Sequence, residues 1–172
     1  MNVKVEKLSI KDAKDLFQFE CENKSFFEKS VPPRGNDYYD YNKFLILLDS
    51  LLEEQNKREC LFYLIKNEKG DILGRMNIVD IDPANGHGSL GYRVGYSYTG
   101  KGVATQALKR LKEMIIQENT INLLSAKTTV DNIGSQKVLE KNGFKIDNHY
   151  KGIKEKMNDR YYEFIYYNYF FK

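Results

Sequence analysis

Residues 91–105 run from a strand-like pattern through a glycine-rich turn into a helical pattern. The strand pattern continues to Tyr98, Gly100 and Gly102 form the turn, and Ala104 opens a face of small and apolar residues at helical spacing. The first amides of a helix have no intrahelical acceptor, and the helix dipole is positive at that end. The segment therefore predicts a strand, an anion site suited to phosphate or pyrophosphate, and a helix, in that order.

The patterns around this segment predict the rest of the fold. Strand-like runs and amphipathic helical runs both occur, and Asn67 and Gly70 mark a hairpin turn. The predicted strands cover residues 3–8, 61–65, 72–81, 90–98, 121–129, 144–150 and 160–171, and the other helices cover 11–22, 44–55 and 131–141. Hairpins followed by alternating strands and helices indicate an α+β fold. We expect a mostly antiparallel mixed sheet of six to seven strands with helices on both faces.

The length and composition limit the class of protein. A chain of 172 residues fits one domain over residues 1–172, and 41% hydrophobic with 30% charged residues is typical of a soluble globular protein. The apolar runs are too short to cross a bilayer, and the N-terminus lacks the apolar core of a signal peptide, so we expect a cytoplasmic protein without a membrane partner. A net charge of +3 gives no reason to expect nucleic acid binding.

Reactive side chains are few. Cys21 and Cys60 are the only cysteines, His87 and His149 are the only histidines, and neither pair has the spacing of metal ligands. We therefore expect no metal site.

Three known motifs match the glycine-rich region only in part. Residues 95–101 fit a nucleotide-binding P-loop, but Gly102 follows where that motif needs Ser or Thr for magnesium. Residues 86–91 match a dinucleotide-binding pattern by letter, yet they precede a strand and not a helix. Residues 95–99 miss the last position of the hydrolase nucleophile elbow. A phosphate-transfer enzyme or a hydrolase is therefore disfavoured.

A fourth motif fits. Residues 99–104 resemble the Q/R-x-x-G-x-A/G pyrophosphate loop of the GNAT superfamily of N-acetyltransferases, with Thr99 in place of Gln or Arg. Residues 132–144 look like the second signature of its RimJ/RimL-like branch, which acetylates the N-termini of ribosomal proteins. The resemblance runs from about Val3 to the C-terminus and implies a GNAT-like fold.

This resemblance implies acetyl-CoA as cosubstrate and assigns residues to it. The strand around Val94 would diverge from its neighbour and offer backbone groups to the pantetheine arm, which Asn132 would also bind. Ser135 would protonate the leaving thiolate, and direct attack by the amine would need no acyl-enzyme. The pyrophosphate would lie on the amides of Gly100, Lys101, Gly102, Val103, Ala104 and Thr105.

The general base and the acceptor site are less defined. Ser89 and Gln106 occupy positions that are often acidic in relatives, so the sequence assigns no base. By resemblance, the aromatic loop over residues 26–41 lies on the acceptor side of the sheet. Its candidate groove residues are Phe27, Tyr38 and Tyr39.

We therefore predict an N-acetyltransferase that acts on a primary amine, such as the N-terminal residue of a ribosomal or other protein. A polyamine, an amino acid or an aminoglycoside remains an alternative acceptor. The absence of acids at Ser89 and Gln106 also leaves open a non-catalytic module that only binds acyl-CoA. The sequence does not decide between a monomer and a homodimer.

Overall fold

The protein is built on a central sheet, and the computed structural model describes residues 2–29, 33–157 and 159–171. The strands are β1 (Lys4–Lys7), β2 (Leu61–Lys66), β3 (Ile72–Asp82), β4 (His87–Val94), β5 (Leu123–Thr129), β6 (Lys145–Ile146), β7 (Lys154–Met157) and β8 (Arg160–Phe170). The α-helices are α1 (Ala13–Phe27), α2 (Tyr41–Asn56), α3 (Val103–Glu118) and α4 (Ile133–Lys141).

The strands lie in the order β1, β2, β3, β4, β5, β8, β6, and β7 pairs with the other part of β8. Every pair is antiparallel except β4 and β5, which run parallel. Parallel neighbours need a long crossover connection, and α3 supplies it. The predicted mostly antiparallel mixed sheet is confirmed.

Helices cover both faces of the sheet, also as predicted. Alternate residues of a strand point to opposite faces. Met76 and Ile78 of β3 are fully buried in a core with Leu111 of α3, whereas Phe62 of β2 is buried in a second core with Leu16 of α1. Each fully buried leucine contributes roughly 1.5 to 3 kcal/mol through the hydrophobic effect.

The hairpin between β2 and β3 shows why its turn residues predict it. The side-chain oxygen of Asn67 accepts hydrogen bonds from the amides of Lys69 and Asp71, both at 2.9 Å. Gly70 has a φ of +94°, a backbone conformation that other residues adopt only with strain.

Strand β4 ends earlier than the periodicity indicates. Residues 96–98 form a 3-10 turn, and the last bond to β3 is donated by the amide of Gly95 to the carbonyl of Leu73 at 2.9 Å. A Cβ at Gly95 would lie 2.9 Å from the ring of Phe19. The close approach of α1 therefore requires a glycine where the strand stops.

The strand count is eight over the described residues, against the six to seven expected. The additional strand, β7, is short and polar, and it is defined only by its pairing with β8. The aromatic loop is also shorter than expected. Helix α1 extends through Phe27, and α2 begins at Tyr41, where the carboxylate of Asp40 accepts a hydrogen bond from the amide of Lys43 at 3.0 Å.

Candidate active site

The sheet opens between β4 and β5. The two strands pair from His87 with Leu123 to Leu90 with Ala126, and no pairing follows, although β4 continues to Val94. Over that last stretch β4 is still paired with β3 on its other side. Its backbone groups that point toward β5 therefore have no strand to bind, which gives the divergence expected around Val94.

The glycine turn lies just beyond this opening. Gly100 and Gly102 have φ values of +71° and +75°, and the first helical bond of α3 runs from the amide of Gln106 to the carbonyl of Gly102 at 3.0 Å. The six amides of residues 100–105 have no acceptor within the described part of the chain. Free donors in this turn and in the first turn of α3 are suited to a diphosphate.

The side chains around the turn are few and mostly exposed. The hydroxyl of Thr99 donates to the carbonyl of Tyr96 at 2.8 Å, so this residue closes the turn. Lys101 and Gln106 are exposed beside the free amides. The free hydrogen-bond donors at the turn are therefore mainly backbone amides.

Helix α4 places two of the expected residues at the opening. Asn132 caps the helix, and its side-chain oxygen accepts the amide proton of Ser135 at 3.0 Å. That bond uses one lone pair of the oxygen, and the exposed amide nitrogen of Asn132 has no hydrogen-bond partner among the described residues. The assignments of Asn132 and Ser135 stay predictions.

Tyr92 is a residue of this site that the sequence reasoning missed. It projects from the open part of β4 toward α4, where its Oη lies 2.9 Å from Oγ of Ser135 and donates to the Ser135 carbonyl at 3.1 Å. Burial raises the pKa of Tyr92 to about 12, so the phenol keeps its proton at neutral pH. Leu90 is buried, and Tyr92 lies two residues further along the same strand. Because side chains alternate between the faces of a sheet, this spacing could have placed Tyr92 on the same face as Leu90.

A buried asparagine holds the two helices of the site together. The amide nitrogen of Asn142 donates to the carbonyl of Thr105 at 3.2 Å and to that of Val138 at 2.9 Å. The first bond reaches the first turn of α3, and the second joins Asn142 to the last turn of α4, which directly precedes it. This side chain therefore fixes the free amides relative to Ser135.

The opposite face of β4 carries Ser89, Gly91 and Arg93. A Cβ at Gly91 would meet no other described residue within 4 Å, so there is space above the strand. Asn77 of β3 pairs with Gly91, and its side-chain oxygen is buried without a hydrogen-bond partner in the described residues. Ser89 supplies no carboxylate, in agreement with the unassigned base.

An arginine pair lies beside this space. One oxygen of the Glu20 carboxylate, Oε1, accepts from Arg75 at 2.9 Å and from Arg93 at 2.7 Å. Burial favours the neutral acid, but the two guanidinium groups outweigh it and lower the pKa of Glu20. The carboxylate is therefore ionised at neutral pH.

Two of the three aromatic candidates for the acceptor groove are buried. Phe27 and Tyr38 are 6% and 7% exposed and belong to the second core, while Tyr39 is half-buried. The ring of Phe27 lies 4.7 Å from the guanidinium of Arg93, and Arg75 donates to the hydroxyl of Tyr38 at 3.1 Å. Phe27 and Tyr38 therefore support the arginines, and direct acceptor contact by the three aromatics remains a prediction.

Neither a metal-binding cluster nor a membrane-spanning helix is found in the described residues. No three His, Cys, Asp or Glu side chains in residues 2–29, 33–157 and 159–171 lie together as a metal site would need. None of the helices in these ranges has both the length and the apolarity needed to cross a membrane.

Comparisons with known proteins agree with this geometry. The probable N-acetyltransferase YjcK of Bacillus subtilis is 28% identical over 154 residues, which cover 88% of this chain and 83% of the relative. The ribosomal-protein-serine acetyltransferase of Escherichia coli is 27% identical over 150 residues, with 86% and 81% covered. A solved RimL structure, a ribosomal L7/L12 α-N-protein acetyltransferase in complex with coenzyme A, has a TM-score of 0.88 at 20% identity and covers 99% of this chain and 94% of its own.

The family model described as an acetyltransferase (GNAT) domain matches residues 2–145. The fold agrees with that match. The chain therefore belongs to the GNAT acetyltransferase family, as its sequence predicts, and is an acetyl-CoA-dependent N-acetyltransferase.

Proposed function

We propose that the protein acetylates the N-terminal amine of a protein acceptor, and that a ribosomal protein is the first acceptor to test. The observation that carries this proposal is the opening between β4 and β5, with six free amides at one end and space over Gly91 on the other face. The printed function of the E. coli relative supports the choice of acceptor.

The cofactor fits the residues that are present. Residues 100–105 bind the pyrophosphate through their amides, and the unpaired backbone of β4 up to Val94 binds the pantetheine arm. Asn132 contributes its free amide nitrogen. Acetyl-CoA supplies the activated acetyl thioester, so this chain needs to orient an amine, exclude competing water and provide a proton.

Ser135 and Tyr92 provide that proton. Ser135 holds a hydroxyl proton at Oγ, and the phenol of Tyr92 is the one hydrogen-bond partner of that oxygen among the described residues. When the Tyr92 hydroxyl donates to Oγ, the Ser135 proton is free to be donated to a third group. The pair therefore acts as the acid for a leaving thiolate, and the proton that the attacking amine loses as the amide bond forms passes through solvent water and restores the pair.

The lack of a carboxylate at Ser89 favours an α-amine as the acceptor. An α-amine with a pKa near 8 is neutral in roughly a fifth of molecules at pH 7.4, whereas a lysine-type amine is neutral in roughly one in a thousand. A site without a strong base therefore suits a protein N-terminus better than a polyamine.

The sheet face beyond Gly91 also suits a peptide. The second core takes its strand residues from β2 and β3, so α1 and α2 leave β5 and β8 accessible on that face. Lys127 of β5 is exposed there and lies 5.0 Å from the ring of Phe164 in β8. An extended chain can lie along such an open surface.

A panel of amines tests the proposal. The protein is incubated with acetyl-CoA and one amine at a time, and the release of free thiol is followed. The amines are peptides with free N-termini, lysine-containing peptides with blocked N-termini, and the small amines, which are polyamines, amino acids and aminoglycosides. We expect turnover with the free N-termini. Turnover with small amines alone would assign a small-molecule acetyltransferase, and saturable cofactor binding without any turnover would assign a binding module.

A further inference from the structure

The cluster of Arg75, Arg93 and Glu20 beside the acceptor space carries more positive than negative charge. Arg75 and Arg93 both donate to the same oxygen of Glu20, whose side chain is 1% exposed. The arginine side chains are 4% and 15% exposed. No other carboxylate lies within 4.0 Å of either guanidinium among the described residues. Two cations therefore share one anion in a site that is largely shielded from water.

A third arginine increases this excess. The guanidinium of Arg34 lies 4.1 Å from the ring of Tyr38, which itself contacts Arg75. Burial, together with the positive charges of Arg75 and Arg34, outweighs Glu20 and lowers the pKa of Arg93. Buried charges are normally matched by partners of opposite sign, because an unmatched charge loses its hydration without compensation.

The excess charge lies where an acceptor would approach. Arg93 directly follows Tyr92, which contacts Ser135 on the cofactor side of β4. Side chains alternate along a strand, so Arg93 emerges from the same stretch of β4 on the opposite face. Gly91, on that face, leaves open space beside it.

We propose that Arg93, held by Glu20 and backed by Arg75, binds a carboxylate of the acceptor, so that the enzyme selects acceptors with an acidic side chain within the first three residues. This inference rests on the proposed function. Among the described residues Arg93 is bonded to Glu20 through Nη2 alone, so the second Nη2 hydrogen, together with Nη1 or Nε, remains for a fork-shaped contact with a carboxylate. Gly91 and Arg93 are about 6.5 Å apart along the strand, a distance that an extended peptide spans in about two residues.

Matched peptides test the proposed carboxylate site. Pairs that differ only by Asp or Asn at position one, two or three are compared by kcat/KM, with C-terminal amides so that no other carboxylate is present. We expect the Asp peptide to be better by about tenfold or more at one position. Free amino acids compared with their amides show whether an α-carboxylate is an alternative source of the same contact. Equal kcat/KM for Asp and Asn at all three positions would refute selection by an acidic side chain.

Variants of Arg93 test whether this residue causes the preference for Asp peptides. Arg93→Gln is expected to reduce the Asp/Asn ratio to about one, and Arg93→Lys to keep part of it because the charge remains. Arg110→Gln is the control: it removes one positive charge from an exposed residue of α3 that contacts Asn2, and we expect an unchanged ratio. A ratio that survives in Arg93→Gln would place the contact elsewhere and overturn the proposal.

Binding without turnover separates this inference from the proposed function. Fluorescently labelled Asp and Asn peptides are titrated into the protein with saturating coenzyme A, and their affinities are compared. Tighter binding of the Asp peptide that is lost in Arg93→Gln would support the carboxylate site even if no peptide were acetylated. Equal affinities would refute it, whatever the outcome of the thiol-release assay.

Discussion

At the scale of residues, the opening between β4 and β5 brings together two hydroxyl groups from distant parts of the sequence. Tyr92 and Ser135 are 43 positions apart, and their oxygens lie 2.9 Å apart. Each group has a single proton, and Tyr92 also has the carbonyl of Ser135 as an acceptor. The direction in which the phenol donates therefore decides whether the serine proton is available for a thiolate.

Removing either hydroxyl is expected to slow turnover. Ser135→Ala removes the proton donor and should lower kcat by about 10- to 100-fold, with little change in cofactor affinity. Tyr92→Phe should lower kcat less, because Ser135 can still donate without its partner. Steady-state thiol release gives kcat, and calorimetry gives the affinity for acetyl-CoA.

The double variant distinguishes a proton-donating pair from two independent residues. If Tyr92 acts only through Ser135, adding Tyr92→Phe to Ser135→Ala should cost nothing further in kcat. If the fold-losses in kcat of the two single variants multiply in the double variant, Tyr92 has a separate role. An unchanged kcat in Ser135→Ala would remove the assignment of Ser135 as the acid.

At the scale of elements, Glu20 joins α1 to two strands. Its carboxylate contacts Arg75 of β3 and Arg93 of β4, and it is the only carboxylate that contacts them in the described residues. The pKa of Glu20 in the folded protein is below its ordinary value of 4.5. Ionised Glu20 therefore stabilises the fold fully above about pH 4.5, and this contribution is lost as the pH falls toward the lowered pKa.

Glu20→Gln should reveal that dependence. At neutral pH the variant leaves two buried guanidinium groups without a counter-charge, and we expect a loss of about 3 to 5 kcal/mol in the free energy of unfolding. The difference from the unmodified protein should shrink as the pH is lowered below about 4.5. Urea unfolding at a series of pH values measures it.

The control for this variant is Glu22→Gln on the same helix. Glu22 is exposed and accepts only from Gln18 in the described residues, so its replacement should change the free energy of unfolding by less than about 0.5 kcal/mol. A difference between Glu20→Gln and the unmodified protein that stays constant with pH would contradict an electrostatic role for Glu20.

The elements also show how far the sequence predicts the fold and the site. The β4–α3 turn is specified locally, because the glycines and the helical spacing lie within 15 residues, and the hairpin at Asn67 is specified in the same way. Contacts between distant elements leave no local pattern. Glu20 and Arg75 are 55 positions apart, and β7 is a strand only through its pairing with β8. The network beside the acceptor space therefore became visible only in three dimensions.

At the scale of the whole molecule, the proposed cofactor site links parts of the chain that are far apart in sequence. Strand β4, the first turn of α3 and the start of α4 all border it, and Asn142, directly after α4, bonds the first turn of α3 and Val138 of α4. A ligand that binds these elements only when they are assembled stabilises the folded chain by mass action. Cofactor binding should therefore be measurable as a shift in the midpoint of thermal unfolding.

Coenzyme A at about 100 times its dissociation constant should stabilise the fold by about 2.7 kcal/mol and raise Tm by about 5 to 10 °C. Gly102→Val should abolish this shift, because a valine at a φ of +75° strains the turn and places its side chain among the free amides. Gly152→Val carries the same backbone strain, with a φ of +76°, and a Cβ there would meet no atom of the described residues within 4 Å, in a turn before β7. It should lower Tm without ligand yet retain the shift. A full shift in Gly102→Val would show that coenzyme A does not bind at the α3 turn.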